Sequence, residues 1–252
     1  MTVMSKRIRL LYQLVSPLHR TAGPAEVARR LEMLRGWAPG LEVDIASPSE
    51  GPPAVESAAD IAMVFPALKD AALGWRDDGY DAVLIGCFSD PATEALQEIS
   101  GLPVFGPGEA ALLEAAAIGD RFSVLSSDPT PPGLRRRIRG MGLEPMFLSE
   151  VLVGGTVRDL VRDPDRYLPA IVAQARTCRS EGADVLVLGC LAMSFAPGLP
   201  DRLGAAAGIP VINPVVAGLR AAEAQLAPRG ETIRERAPVG VRPETPRGDI
   251  TP

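Results

Sequence analysis

The sequence predicts an α/β protein built of two lobes related by a pseudo-twofold, each with about four parallel strands flanked by helices. Two internal repeats and their order predict it. Residues 79–87 read Gly-Tyr-Asp-Ala-Val-Leu-Ile-Gly-Cys, and residues 182–190 read Gly-Ala-Asp-Val-Leu-Val-Leu-Gly-Cys. Four apolar residues entered after Gly-x-Asp and closed by Gly read as a strand buried on both faces. Residues 101–107 (Gly-Leu-Pro-Val-Phe-Gly-Pro) and 208–214 (Gly-Ile-Pro-Val-Ile-Asn-Pro) share four of seven positions. With the strand at 8–12 echoed at 122–126, and Gly40-Leu41-Glu42 echoed by Gly142-Leu143-Glu144, the matching segments keep one order, at offsets of 114, 102, 103 and 107 residues.

The elements follow in turn. Residues 8–12 form a first strand, then comes a helix marked at its start by Pro24, with Val27, Leu31 and Leu34 on one stripe. Residues 41–45 are a second strand and 47–53 a turn-rich loop. A helical region over about 55–76 carries Pro66, which should kink or split it. After the strand that ends at Cys87, Asp90-Pro91 reads as the cap and first position of a helix. Residues 102–105 are a strand and 109–118 an alanine-rich helix. The second lobe restarts at 121–126, with Ser149 nearly where Ser47 fell, a helix over 167–180 before the strand that ends at Cys190, and a last strand near 211. The first lobe is expected to span 1–118 and the second 119–214, with a final helix at 215–226 returning to pack on the first. The tail, 227–252, holds five prolines, mixed charges and few aliphatics, and is expected to be disordered.

Composition narrows the functional classes. Hydrophobic residues make up 46% of 252 and aromatics 4%, so the core rests on aliphatic packing. The net charge of −5, without basic stretches interleaved with aromatics, argues against nucleic acid as a partner. No apolar run is long enough to span a bilayer, and the first nine residues lack a signal-peptide core. Three cysteines without a C-x-x-C pair suggest reduced thiols in the cytoplasm, with no disulfide framework and no zinc knuckle.

In an open parallel sheet, ligands bind outside the carboxyl ends of the strands. Both repeated strands deliver a thiol there, Cys87 and Cys190. Two thiols on opposite faces of one carbon can remove a proton from one side and return it to the other, inverting a stereocentre without metal or organic cofactor. The carbon must be acidified by a neighbouring carbonyl, and amides of loops 87–90 and 190–194 can receive the charge on its oxygen. The helix after Asp90-Pro91 is expected to lower the pKa of Cys87 through its dipole. Cys178, mid-helix and without a counterpart, reads as core, and His19, the only histidine, as a surface residue. Gly106-Pro107-Gly108-Glu109-Ala110-Ala111 formally fits a dinucleotide fingerprint, but Pro107 removes a backbone donor and Glu109 would face the pyrophosphate.

The set Gly86-Cys-Phe-Ser-Asp-Pro91, Gly106-Pro-Gly-Glu-Ala110, Leu188-Gly-Cys-Leu-Ala-Met193 and Pro210-Val-Ile-Asn-Pro-Val-Val216 resembles hydantoin racemases, of the aspartate/glutamate/hydantoin racemase superfamily. The resemblance covers roughly residues 53–226. It implies a cofactor-independent two-base racemase acting on a small molecule between the lobes, often as a homo-oligomer, with Cys87 and Cys190 as the catalytic pair. Phe88 and Ser89 after the first cysteine, Leu191 and Ala192 after the second, and the paired hydroxyls Ser126 and Ser127 are then expected at the substrate. The family's Asn-Pro-Asn after the first strand aligns with Tyr12, Gln13 and Leu14, and Asn213 stands where Asp is usual, so the substrate need not be a hydantoin. The alternatives are a two-cysteine cis–trans isomerase of a small diacid and a non-catalytic small-molecule binding protein on the same scaffold.

Overall fold

The computed structural model describes residues 7–227, so the proline-rich tail from Pro228 lies outside the described residues. Among the described residues eight strands form: β1 (Arg9–Leu14), β2 (Glu42–Ala46), β3 (Ala82–Gly86), β4 (Val104–Phe105), β5 (Phe122–Ser126), β6 (Phe147–Leu152), β7 (Val185–Leu188) and β8 (Val211–Ile212). They make two four-stranded sheets with the same order, β2-β1-β3-β4 and β6-β5-β7-β8, all parallel. The expected fold class is the observed one.

The repeated Gly-x-Asp has a definite physical task. The Asp81 carboxylate accepts the backbone N–H of Arg9 at 2.9 Å. Asp184 likewise accepts those of Asp120 and Arg121, at 3.0 and 3.1 Å. In each sheet the aspartate before a central strand ties down the start of its neighbour and so fixes the register. The apolar residues that follow are fully buried, Ala82 to Ile85 and Val185 to Leu188. Each strand is covered on both faces by helices, which is why its sequence does not alternate.

One hydrophobic cluster runs through both sheets, from Leu10, Tyr12 and Leu84 to Phe122, Val124, Val185 and Val187. The helix Pro214–Leu226 packs along the helix Pro107–Ile118 and against β3 and β4. Gly218 permits the approach, since a Cβ there would meet the Leu84 side chain at 2.6 Å. No helix among the described residues is long and apolar enough to cross a membrane.

Three local expectations need correction. The alternative of a split at Pro66 falls away, since the helix Ala58–Ala72 runs through it. Pro66 therefore removes one hydrogen bond within the helix without dividing it. Gly142-Leu143-Glu144 does not open a strand as Gly40-Leu41-Glu42 does. Pro145 has no N–H to give to a ladder, Glu144–Met146 winds into a 3₁₀ turn, and β6 begins only at Phe147. Finally, Asp90 does not cap the helix that follows it. That helix is Thr93–Ser100, and Asp90 and Ala92 both take left-handed backbone angles ahead of it, with φ of 48° and 58°.

Candidate active site

The register of the central strands sets Leu14 level with Gly86, and Leu125 level with Leu188. The chain therefore leaves β1, β3, β5 and β7 at the same carboxyl edges. There a cavity of about 810 Å³ is lined by both Cys87 and Cys190. Phe88, Ser89, Ser127, Leu191 and Ala192 also line it, together with Leu14, Val15 and Ser16 from the end of β1.

Three expected residues lie elsewhere. Tyr12 is fully buried, edge-to-face with Phe195 at 5.9 Å, so it backs the site from the core. Gln13 is buried and turns its side-chain amide to the carbonyl of Leu14 at 2.9 Å. Ser126 points to Glu150, donating at 2.9 Å. The cause is common to all three. They are held in their strands by partners of their own, and of the residues on β1 and β3 the cavity is reached only from the last, Leu14 and Gly86.

The two thiols stand in different surroundings. Cys190 occupies the cap position of the short helix Leu191–Ser194. Burial pushes its pKa up, against the Ser127 hydroxyl, the amides of Ala192 and Met193, and the charge of Arg30. Cys87 leads into a turn closed by the Asp90 N–H to Cys87 O bond, 3.1 Å. Burial pushes its pKa up to about 12; Ser89 opposes this, while Asp90 and Cys190 add to it. The net shift is thus upward, not downward as expected, and Asp90 and the left-handed turn separate Cys87 from the helix at 93. All three cysteines are free thiols. Cys178 is fully buried in the core, as expected. His19 is half-buried and shares a hydrogen bond with Ser47 at 2.9 Å, outside the cavity lining.

Asp90 instead reaches across to the helix Pro107–Ile118, accepting the amides of Gly108 at 2.9 Å and Glu109 at 2.7 Å. The Arg137 guanidinium, from the second half of the chain, pairs with the same carboxylate and donates to the carbonyl of Phe88 at 2.6 Å. Burial raises the Asp90 carboxyl to about 6, opposed by Arg137 and the two amides. This carboxylate fills the cradle in which the apparent dinucleotide fingerprint would hold a phosphate. Gly108 is required there, since any Cβ would collide with the carbonyl oxygen of Phe88.

Sequence reasoning missed Glu26 and Arg30, which also line the cavity. Arg30 lies on the stripe of Val27 and Leu34 in the helix Pro24–Trp37 and is only 5% exposed. A cation at a core-facing helical position, with Glu one turn before it, was the available signal. Asp128 was missed as well. It lines the cavity with one carboxylate oxygen buried and unpartnered, and burial raises its pKa.

Two like parallel sheets with a cavity at their carboxyl edges define a class of α/β proteins with a small-molecule site there. Residues 23–222 match the family model described as Asp/Glu/Hydantoin racemase, and the chain belongs to that family. It is 34% identical to a hydantoin racemase of Rhizobium meliloti over 73% of this chain and 76% of the relative. Its fold matches the crystal structure of allantoin racemase from Pseudomonas fluorescens with a TM-score of 0.74 and 27% identity, over 96% of this chain and all of that one. A maleate isomerase from Pseudomonas putida shares the fold at a TM-score of 0.65 and 18% identity, over 88% and 93% of the two chains. The protein is thus an isomerase of the racemase kind.

Proposed function

We propose that the chain is a cofactor-independent racemase that inverts a carbon next to a carbonyl in a hydantoin-like small molecule, with Cys87 and Cys190 as the two proton-transfer groups. The observation that carries this reading is that both thiols open on one cavity from the ends of matched strands. One enantiomer gives its proton to one sulfur while the other sulfur supplies the opposite face. The amides of Ser89 at one sulfur, and of Ala192 and Met193 at the other, favour the thiolate forms. The cytoplasm and a homo-oligomer are the setting that reduced thiols and the family resemblance suggest.

The test is polarimetry on pure enantiomers of 5-substituted hydantoins, free amino acids and their N-carbamoyl derivatives, with maleate followed in parallel by proton NMR. Rotation should decay to zero with a hydantoin. Conversion of maleate to fumarate, with no racemisation, would replace this reading by diacid isomerisation. The latter asks for cations at two carboxylates, and Arg30 is the one buried cation among the described cavity residues.

A pH profile gives a second test. Turnover in either direction needs one thiolate and one thiol, and burial raises both sulfurs. Raised pKa values leave both groups protonated at neutral pH. Hence kcat/KM should climb with pH through the first deprotonation of the pair and fall through the second. The rising limb should lie above the ordinary thiol value of about 8.5, since the two pKa values belong to the coupled pair. A limb complete below about pH 7 would contradict the raised thiols.

A further inference from the structure

The helix Pro24–Trp37 carries Glu26 and Arg30 into the wall of the cavity, with Arg29 behind them on the same helix. Glu26 is gripped at both oxygens. Arg29 takes them with Nε and Nη2, each at 2.7 Å, and Arg30 adds Nε at 2.8 Å. Burial works against the Glu26 charge, yet the two guanidiniums hold its pKa below the usual range. Arg29 is further occupied by the carbonyl of Phe195, at 2.9 Å. Arg30 is not. Its guanidinium lies 4.6 Å over the Phe195 ring, and among the described residues Glu26 is its one hydrogen-bond partner, through Nε.

A guanidinium carries five N–H donors in a rigid plane. Here four of them, on the two terminal nitrogens, have no protein acceptor, in a side chain 6% exposed that lines the cavity. These donors open on the cavity, so the edge is placed to take an oxygen that arrives with a ligand. The trio also holds two positive charges against one negative, and its surplus is not neutralised within the helix.

We infer that Arg30 binds the oxygen of the carbonyl that acidifies the substrate's reacting carbon, and that the positive surplus of the Glu26–Arg29–Arg30 trio holds the charge of the Cys190 thiolate. The first part rests on the racemase reading above; the second does not. When the proton leaves the carbon for a sulfur, the carbonyl oxygen takes up the electron pair as an enolate, and the guanidinium edge meets that charge without rearranging. Phe195 stacked beneath and Glu26 at its side fix the plane in advance.

The groups around Cys190 come from every element at the site. Arg30 and Glu26 lie on the helix at 24–37, Cys87 after β3, Ser127 and Asp128 after β5, and Glu56, which accepts the Val157 N–H, in the loop before the helix at 58. Arg158, Asp159 and Arg162 line the cavity from the helix Val157–Arg162. Asp159 is engaged with Thr156 at its own helix cap. Tyr12 has a hydroxyl pKa raised by burial and stays neutral. Of the cations that line the cavity with Cys190, Arg30 is the one in a buried position, while Arg158 and Arg162 are exposed.

The test reads the thiol without turnover. In a Cys87→Ser background, with Cys178 fully buried, alkylation by iodoacetamide against pH reports Cys190 alone. Arg30→Gln removes a positive charge and should move the midpoint up, slowing alkylation at pH 8 by roughly three- to tenfold. Glu26→Gln removes the negative charge and should move it down, speeding alkylation by a similar factor. Arg30→Lys should stay within about threefold of the parent in alkylation, yet in the otherwise native enzyme should lower kcat/KM at least about tenfold, because the planar edge is lost. Shifts of Arg30→Gln and Glu26→Gln in the same direction, or no shift in either, would overturn the thiolate role; full activity of Arg30→Lys would overturn the carbonyl role. Glu26→Gln and Arg30→Lys keep the test decisive should Arg30→Gln fail to fold. A failure to find any racemised substrate would leave the alkylation result standing, so the two readings fail separately.

Discussion

Cys87→Ser and Cys190→Ser should each lower racemisation by at least about 10³-fold, because a hydroxyl is a far weaker base and loss of either group breaks the two-sided transfer. Each variant should nonetheless still exchange the α-hydrogen of one enantiomer with deuterated water, and the two should prefer opposite enantiomers. The structure adds an asymmetry. Burial raises both thiols, but the charge of Arg30 favours the Cys190 thiolate, whereas the Asp90 carboxylate disfavours that of Cys87. At neutral pH the variant that keeps Cys190 should therefore exchange its enantiomer faster than the variant that keeps Cys87. Proton NMR of each pure enantiomer in deuterated buffer reads all of this. Exchange of the same enantiomer by both variants would mean that one base serves both faces, and unimpaired racemisation in either would make that cysteine a packing residue. Cys178→Ser supplies the control: its turnover should match wild type, although a hydroxyl in the core is expected to cost on the order of 1 kcal/mol of stability.

How far the sequence carries toward such tests depends on how local each signal is. The central strands were legible because their four-residue apolar runs are bounded by residues with set tasks. The aspartates at 81 and 184 anchor the neighbouring strand, and the glycines at 86 and 189 close the run before each cysteine. A thiol one step beyond such a strand must emerge at the ligand-binding edge, so Cys87 and Cys190 were readable together with their immediate neighbours. Tyr12, Gln13 and Ser126 were misplaced by one or two residues along their strands, since alternation cannot show where a strand buried on both faces ends. Arg30 was hidden for the opposite reason: helical periodicity marks its position as core, but only the tertiary structure shows that this part of the core borders a cavity. Asp90 misled most. Asp-Pro is a sound local rule for starting a helix, and here it was overruled by a contact with residues 108 and 109, too distant for any local pattern to reveal.

That contact underlies the largest expected effect on stability. Asp90 has a side chain 6% exposed and joins three parts of the chain: the turn that carries Cys87, the amino end of the helix at 107–118, and Arg137, itself 19% exposed. Asp90→Ala would leave Arg137 with no carboxylate in a largely buried place and two helix amides without acceptors. Breaking a buried pair from one side typically costs about 3–5 kcal/mol. At about 2–4 °C per kcal/mol for a chain of this size, the melting temperature should fall by roughly 6–20 °C. Arg137→Met should cost less, since the carboxylate keeps both amides, and Asp90→Asn should fall between, retaining an acceptor for Gly108 but no charge. The double variant Asp90→Ala/Arg137→Met should be more stable than the sum of the single losses predicts, because the stranded guanidinium is gone. Thermal and urea melts of the four variants measure these differences. The turn at 87–90 is held by the same carboxylate, so racemisation by Asp90→Ala at temperatures where it stays folded should also drop, with kcat affected more than KM. An Asp90→Ala protein that melts within about 1 °C of wild type and turns over normally would show that the Cys87 turn is fixed by its own backbone, and that the bridge to Arg137 is incidental to the site.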